Sequence, residues 1–233
     1  MDLSRRSRQP EWMDTETVTE ADFAACLTDL ATVNTVTLAR PPTVAFMRSV
    51  ARGLPPGSRL SILDVGFGDG DMLRRLHRWG ARRGLRLSLA GIDLNPWSAP
   101  SARAATPPHM AIDYRTGDVF DEPPSSCDVV ISSMVTHHLT DAQIVAFLGW
   151  MERTAGRGWF INDLHRHALA YHGFRALSRL AGWHRFVQHD GPLSVARSFR
   201  RPDWAALLRT AGLDGVAQVR WRLPFRYCVG RLR

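Results

Sequence analysis

At 233 residues the chain fits one domain with a small helical appendage, and its 45% hydrophobic content is that of a globular protein. Thirty basic against 22 acidic residues give a net charge of +8, yet every basic residue is arginine. They are scattered rather than grouped with aromatics, which argues for solvated surface and against a nucleic-acid partner. No apolar run of about 18 residues is present to span a membrane, and the first residues lack the apolar core of a secretion signal. Cys26, Cys127 and Cys228 stand far apart, a pattern that favours a reducing, cytoplasmic setting over disulfides or zinc.

Residues 1–18 are polar and are expected to form a loose tail. Thr19 to about Val36 has helical spacing, with Thr19 and Asp22 placed for a capping box. Pro41-Pro42 opens a second helix that stops at Gly53. Ser61 to Leu73 then reads SILDVGFGDGDML: a short buried strand, a glycine loop, and a helix whose apolar face includes Met72, Leu73 and Leu76. Leu85 to Ile92 is a second strand ending in Asp93, and a short third strand over Tyr114 to Thr116 leads to Asp118. Asp128 to Ser132 is a buried fourth strand, followed by a capping box at Thr140 and Gln143. Trp159 to Asn162 is the fifth. His167 to about Leu180 is helical, Gln188 to Phe199 is an insertion of open form, and another helix runs from Pro202 to Gly212. Two closing strands, near 216–223 and 225–229, meet as a hairpin at Pro224.

Alternating strands and helices imply a parallel sheet, and two final strands without a helix between them imply an antiparallel edge. The expected fold class is α/β: a Rossmann-like, seven-stranded, mostly parallel sheet with an antiparallel edge strand, plus an N-terminal helical segment. Residues 1–55 are assigned to a tail and helical lid. Residues 56–233 are assigned to the main domain, with a substrate-loop insertion near 167–200.

The glycine loop discriminates between ligands. Gly66, Gly68 and Gly70 are spaced G-x-G-x-G rather than the G-x-G-x-x-G of dinucleotide sites. Asp64, Asp69 and Asp71 around the loop would repel a pyrophosphate and favour a cation. The run resembles motif I of the class I S-adenosylmethionine (SAM) methyltransferases. SAM carries a sulfonium and an ammonium, so the charge match is sensible. The resemblance covers roughly residues 40–233 and implies that the N-terminal helices lie over the cofactor.

It further implies a cofactor set. Asp64 would receive the methionine ammonium, Gly66, Phe67, Gly68 and Gly70 would pass beneath the cofactor, and Asp93 would accept the ribose hydroxyls. Leu94 would lie against the adenine, Asp118 would accept its amino group, Val119 would offer a backbone N–H, and Ser132 and Ser133 would lie alongside.

The acceptor side is read from Met134-Val-Thr-His-His-Leu139 and from Asn162-Asp-Leu-His-Arg-His167. A hydroxyl acceptor is helped by a general base, and histidine suits neutral pH. His137, His138 and His165 are the candidates, with only one of the adjacent pair facing the pocket. Asp163, His189, Asp190 and Arg197 are candidate substrate contacts, and no metal is expected. The two motifs most resemble bacterial enzymes related to the ubiquinone and menaquinone methyltransferases and those found with polyketide-synthesis enzymes. That implies a phenolic, quinol or polyketide aromatic acceptor and a place in secondary metabolism. The alternatives are a nucleic-acid methyltransferase, disfavoured by Ser132-Ser-Met-Val135 where Asn/Asp-Pro-Pro-Tyr would stand, a nicotinamide dehydrogenase, disfavoured by the loop, and a non-catalytic SAM-binding protein.

Overall fold

The computed structural model describes residues 1–16, 19–121 and 127–233. A short helix α1 (Trp12–Thr15) is followed by α2 (Glu20–Val36) and α3 (Pro41–Val50). Thr19 caps α2 in a reciprocal box with Asp22, and prolines at the first turn of α3 sit where their missing N–H costs nothing. The sheet-forming part then runs β1 (Arg59–Val65), α4 (Asp71–Arg82), β2 (Arg86–Asp93), α5 (Ser98–Ala104), β3 (Ile112–Thr116) and β4 (Cys127–Ser133). A 3-10 turn (Thr136–His138), α6 (Asp141–Thr154) and β5 (Ala155–Leu164) follow. The chain ends with α7 (Ala168–Leu180), α8 (Arg185–Arg197), α9 (Arg201–Thr210), β6 (Gln218–Arg222) and β7 (Arg226–Leu232).

Among the described residues the strands form one seven-stranded sheet in the order β3-β2-β1-β4-β5-β7-β6. β1 to β5 are parallel, and β7 pairs antiparallel with both β5 and β6. Chain order reverses between β1 and β4. That is the point where an open α/β sheet leaves a crevice beyond the carboxyl ends of its strands. Successive strand residues face opposite layers: Ile62, Val129 and Phe160 belong to one core cluster, Leu63, Val130 and Ile161 to the other. Burial on both faces is why these strands read as unbroken apolar runs. α3 joins the first layer through Met47 and Val50, and its Phe46 stacks on Phe160 at 4.8 Å. No described helix is long and apolar enough to cross a membrane.

One expectation is corrected. Residues 1–16 of the N-terminal tail are not loose; 17 and 18 lie outside the described residues. The Arg6 guanidinium donates to the carbonyls of Arg197 (2.8 Å) and Leu139 (3.0 Å) and pairs with Asp141. The Ser7 N–H reaches the Ala196 carbonyl at 3.0 Å. The structure also settles the form of Gln188 to Phe199: up to Arg197 it is part of α8, which accommodates Pro192. α8 packs on α2 through a small cluster of Cys26, Val33, Phe186 and Val187.

Candidate active site

The crevice is built first by the turn after β1. Gly66 has φ 74°, and a Cβ there would lie 2.1 Å from Val135 Cγ2, so only glycine lets this turn pass the loop after β4. Gly68 has φ 57°, but its missing side chain faces open space, with nothing within 4 Å. The Gly68 N–H donates to Asp93 Oδ2 at 2.9 Å, and the Asn95 N–H donates to Oδ1 at 2.9 Å. Asp93 thereby ties the loop to the end of β2. Leu94 beside it is 67% exposed, an apolar side chain left uncovered at the mouth of the crevice.

The loop's charge is narrower than the sequence suggests. Asp71 pairs with Arg40, and Asp69 pairs with Arg74 at 3.0 Å. Two of the three acids are therefore compensated. Asp64 is not. It is 3% exposed and has no hydrogen-bond or ion-pair partner among the described residues. Burial, reinforced by the charges of Asp93 and Asp69, pushes its carboxyl well above the usual range. Asp93 is also raised by burial, opposed by the Asn95 and Gly68 N–H groups. A cation placed here would relieve the cost of ionising Asp64. The residues thus fit a ligand with a cationic end and a diol, laid over Gly68.

On the other side of the crevice, β4 ends at Ser133 and Met134 follows it. Met134 has φ 63°, a left-handed conformation costly for a long side chain. The following 3-10 turn is pinned by Asp163 at the end of β5. Asp163 Oδ2 accepts from the Thr136 hydroxyl and from the His137 N–H at 3.0 Å, while Oδ1 lies 2.7 Å from His137 Nδ1. A carboxylate only accepts, so Nδ1 carries the proton and Nε2 points away from Asp163. Burial alone would raise Asp163, but His137 and these donors outweigh it and hold the carboxyl well below the usual range. His137 is 2% exposed, whereas 34% of the His138 side chain remains accessible. Of the pair, His138 stays accessible and His137 is locked into the scaffold.

A residue missed by sequence reasoning completes the wall. Glu11, 5% exposed, lies with Oε1 3.8 Å from His137 Nε2 and Oε2 3.9 Å from His138 Nε2. Its Oε1 accepts from the Ser194 hydroxyl at 2.9 Å, and Arg197 Nε stands 3.8 Å away. Burial raises the Glu11 carboxyl, and His138, Ser194 and Arg197 partly offset this. The available signal was faint: Trp12 and Met13, two large apolar residues in an otherwise polar tail.

The remaining candidates fall in four groups. Ser133 Oγ is buried without a partner among the described residues, and Asp118 accepts from the Phe120 N–H at 3.0 Å. Other side chains are committed to structure. Phe67 packs on Tyr114 and is 6% exposed, Val119 is buried in the second core layer, and the Ser132 hydroxyl donates to the Val65 carbonyl at 2.9 Å. Asp190 accepts from the N–H groups of Trp12 (2.9 Å) and Met13 (3.0 Å), and Arg197 donates to the carbonyls of His137, His138 and Gln9. His189 stacks on Trp12 at 3.6 Å and bonds Asp190 at 2.8 Å. Rather than presenting a free substrate loop, these residues anchor the N-terminal strap. His165 sits in a separate aromatic group with His167, Tyr227 and Trp221, and burial lowers it to about 4. A group that acidic is a weak base at neutral pH.

The sheet order, the glycine loop and the carboxylate at each of the first two strand ends define a class I methyltransferase fold. Residues 62–158 match the family model of a methyltransferase domain. Among solved structures, the plantazolicin methyltransferase BpumL in complex with SAH superposes with a TM-score of 0.68 at 12% identity, covering 95% of this chain and 93% of that one. Magnesium protoporphyrin IX methyltransferase from Synechocystis PCC 6803 with bound SAH gives 0.56 at 16% identity, covering 84% and 82%. LepI in complex with SAM gives 0.55 at 16%, covering 80% of this chain and 46% of its own. At these identities the likeness is one of fold. No curated protein sequence matches the chain.

Proposed function

We propose that this protein is a SAM-dependent methyltransferase acting on a small molecule, and that its acceptor atom is the hydroxyl of a phenol, quinol or polyketide aromatic. The observation that carries the cofactor is Asp64, a buried carboxylate without a partner among the described residues, beside an open glycine turn. Asp64 would meet the positive end of the cofactor and Asp93 its ribose. When bound, SAM supplies a methyl group on a sulfonium, an electrophile that needs alignment more than activation. The chain's own residues do the rest. Arg40, Arg74 and the Gly68–Asp93 bond fix the loop. Asp163 holds His137 and the turn, and His138, which stays accessible, is the group that takes the acceptor's proton.

The test is calorimetry with SAM and SAH, then transfer of labelled methyl from SAM to a panel of phenols, naphthols and quinols. Stoichiometric SAM binding with label in one of these acceptors is the expected result. Tighter binding of NAD, or no SAM binding by folded protein, would sink the reading. SAM binding without transfer to any acceptor class would instead favour a protein that uses the fold for something other than methylation.

A further inference from the structure

Glu11 reaches the active site from a part of the chain outside the methyltransferase sheet, where it takes the Ser194 hydroxyl and faces the buried Arg197 guanidinium as well as the two histidines. Burying a carboxylate here carries a desolvation cost that these partners offset only in part. The strap that delivers it is fixed from both sides. Asp190 takes the Trp12 and Met13 N–H groups just after Glu11, and Arg197 takes the Gln9 carbonyl just before it. Arg197 also holds the carbonyls of His137 and His138 at 3.1 and 3.2 Å, so one guanidinium sets the strap and the histidine turn relative to each other. The carboxylate then stands 3.8 and 3.9 Å from the two Nε2 atoms. These gaps are too long for direct hydrogen bonds and short enough for strong charge interaction.

We propose that Glu11 is the carboxylate partner of His138 in proton removal from the acceptor, so that the N-terminal strap is part of the catalytic apparatus. This rests on the reading of the chain as a methyltransferase for hydroxyl acceptors. As the bond from acceptor oxygen to methyl forms, the O–H proton passes to His138 Nδ1, the ring nitrogen opposite the one that faces Glu11. The electron pair of the breaking carbon–sulfur bond stays on sulfur, and the buried Glu11 carboxylate balances the imidazolium charge. His137 does not compete for the role, because its Nδ1 is held by Asp163 and its ring is 2% exposed. Glu11 acts through His138 and is a positioning and charge-balancing residue.

The decisive variant is Glu11→Gln, which keeps the size of the side chain and an acceptor for Ser194. With phenols of ordinary acidity, kcat should fall at least about tenfold, with SAM affinity by calorimetry unchanged. The loss should shrink toward nothing with nitrophenols that are already ionised at the assay pH. An equal loss for every phenol, or none in folded variant, overturns the proposal. A second measurement needs no acceptor. In protein labelled with 15N in its histidines, Glu11→Gln should move the ring-nitrogen resonances of His138, and unmoved resonances overturn the pairing. If wild-type protein methylates no phenol or quinol, the proposed acceptor class fails while this spectrum still decides the Glu11–His138 contact. Zinc is the last control, since ligand atoms of Glu11, His137 and His138 lie within 4.8 Å of one another. One-to-one zinc binding that Glu11→Gln abolishes would make the three a metal site and overturn the proton role. No such binding is expected, with the Arg197 guanidinium already beside the carboxylate.

Discussion

His137 and Asp163 meet at 2.7 Å, Nδ1 to Oδ1, across the carboxyl ends of β4 and β5. The same carboxylate takes the His137 N–H and the Thr136 hydroxyl, so a single side chain sets the turn that carries the histidine pair. Asp163→Ala would leave these donors buried and unpaired. The expected cost is about 3–5 kcal/mol, read as a lower Tm and a lower denaturation midpoint. The pH dependence has a definite sign. The folded carboxyl is held below its unfolded value, so its contribution is complete above an unfolded pKa of about 4. It drains away as pH falls below that value, and the wild-type advantage over Asp163→Ala should shrink in that window.

Asp64 should show the opposite behaviour. Its folded pKa is raised by burial and by Asp93 and Asp69, so protonation stabilises the folded state. Stability of the ligand-free protein is lost as pH rises from about 4 through the raised value. Asp64→Asn removes the ionisation, and at neutral pH it should raise the Tm of ligand-free protein by several degrees. The same change should weaken SAM binding by at least about tenfold, a loss of about 1.4 kcal/mol. Thermal scans with and without SAM, paired with calorimetry, check both halves. A variant less stable without ligand, or one that binds SAM unchanged, contradicts this account.

Asp93 holds two N–H groups and is assigned to the ribose. Asp93→Ala should release the glycine loop from β2 and remove hydrogen bonds to a charged acceptor, each contributing about 1.5–3 kcal/mol. SAM affinity should drop steeply. Hydrogen exchange should speed up at the Gly68 amide, which the carboxylate now protects.

The two adjacent histidines should separate by readout. His138→Ala is expected to lower kcat by about 10²–10⁴ in protein that melts normally and binds SAM normally. His137→Ala should lower Tm instead, because it leaves Asp163 buried without its main partner, and activity should follow the folded fraction. The reverse pattern would move the base to His137.

Much of this protein follows from its sequence through local rules. Strand-end carboxylates at Asp64 and Asp93, the alternate glycines and the Thr19 and Thr140 caps are set by residues within a few positions of one another. The apolar runs of β1 and β4 show burial on both faces. Periodicity and spacing express such constraints directly. What only the tertiary structure decided depends on residues far apart in the chain. Asp69 and Asp71 look like loop charge until Arg74 and Arg40 are placed beside them. His137 and His138 are equivalent in sequence; Asp163, 26 positions away, buries one and leaves the other accessible. His189, Asp190 and Arg197 carry the chemistry of a substrate loop, but on α8 they bind the strap. Glu11 shows no local pattern at all. Its position comes from hydrogen bonds to residues more than 170 positions away, and nothing in the spacing of the tail encodes them.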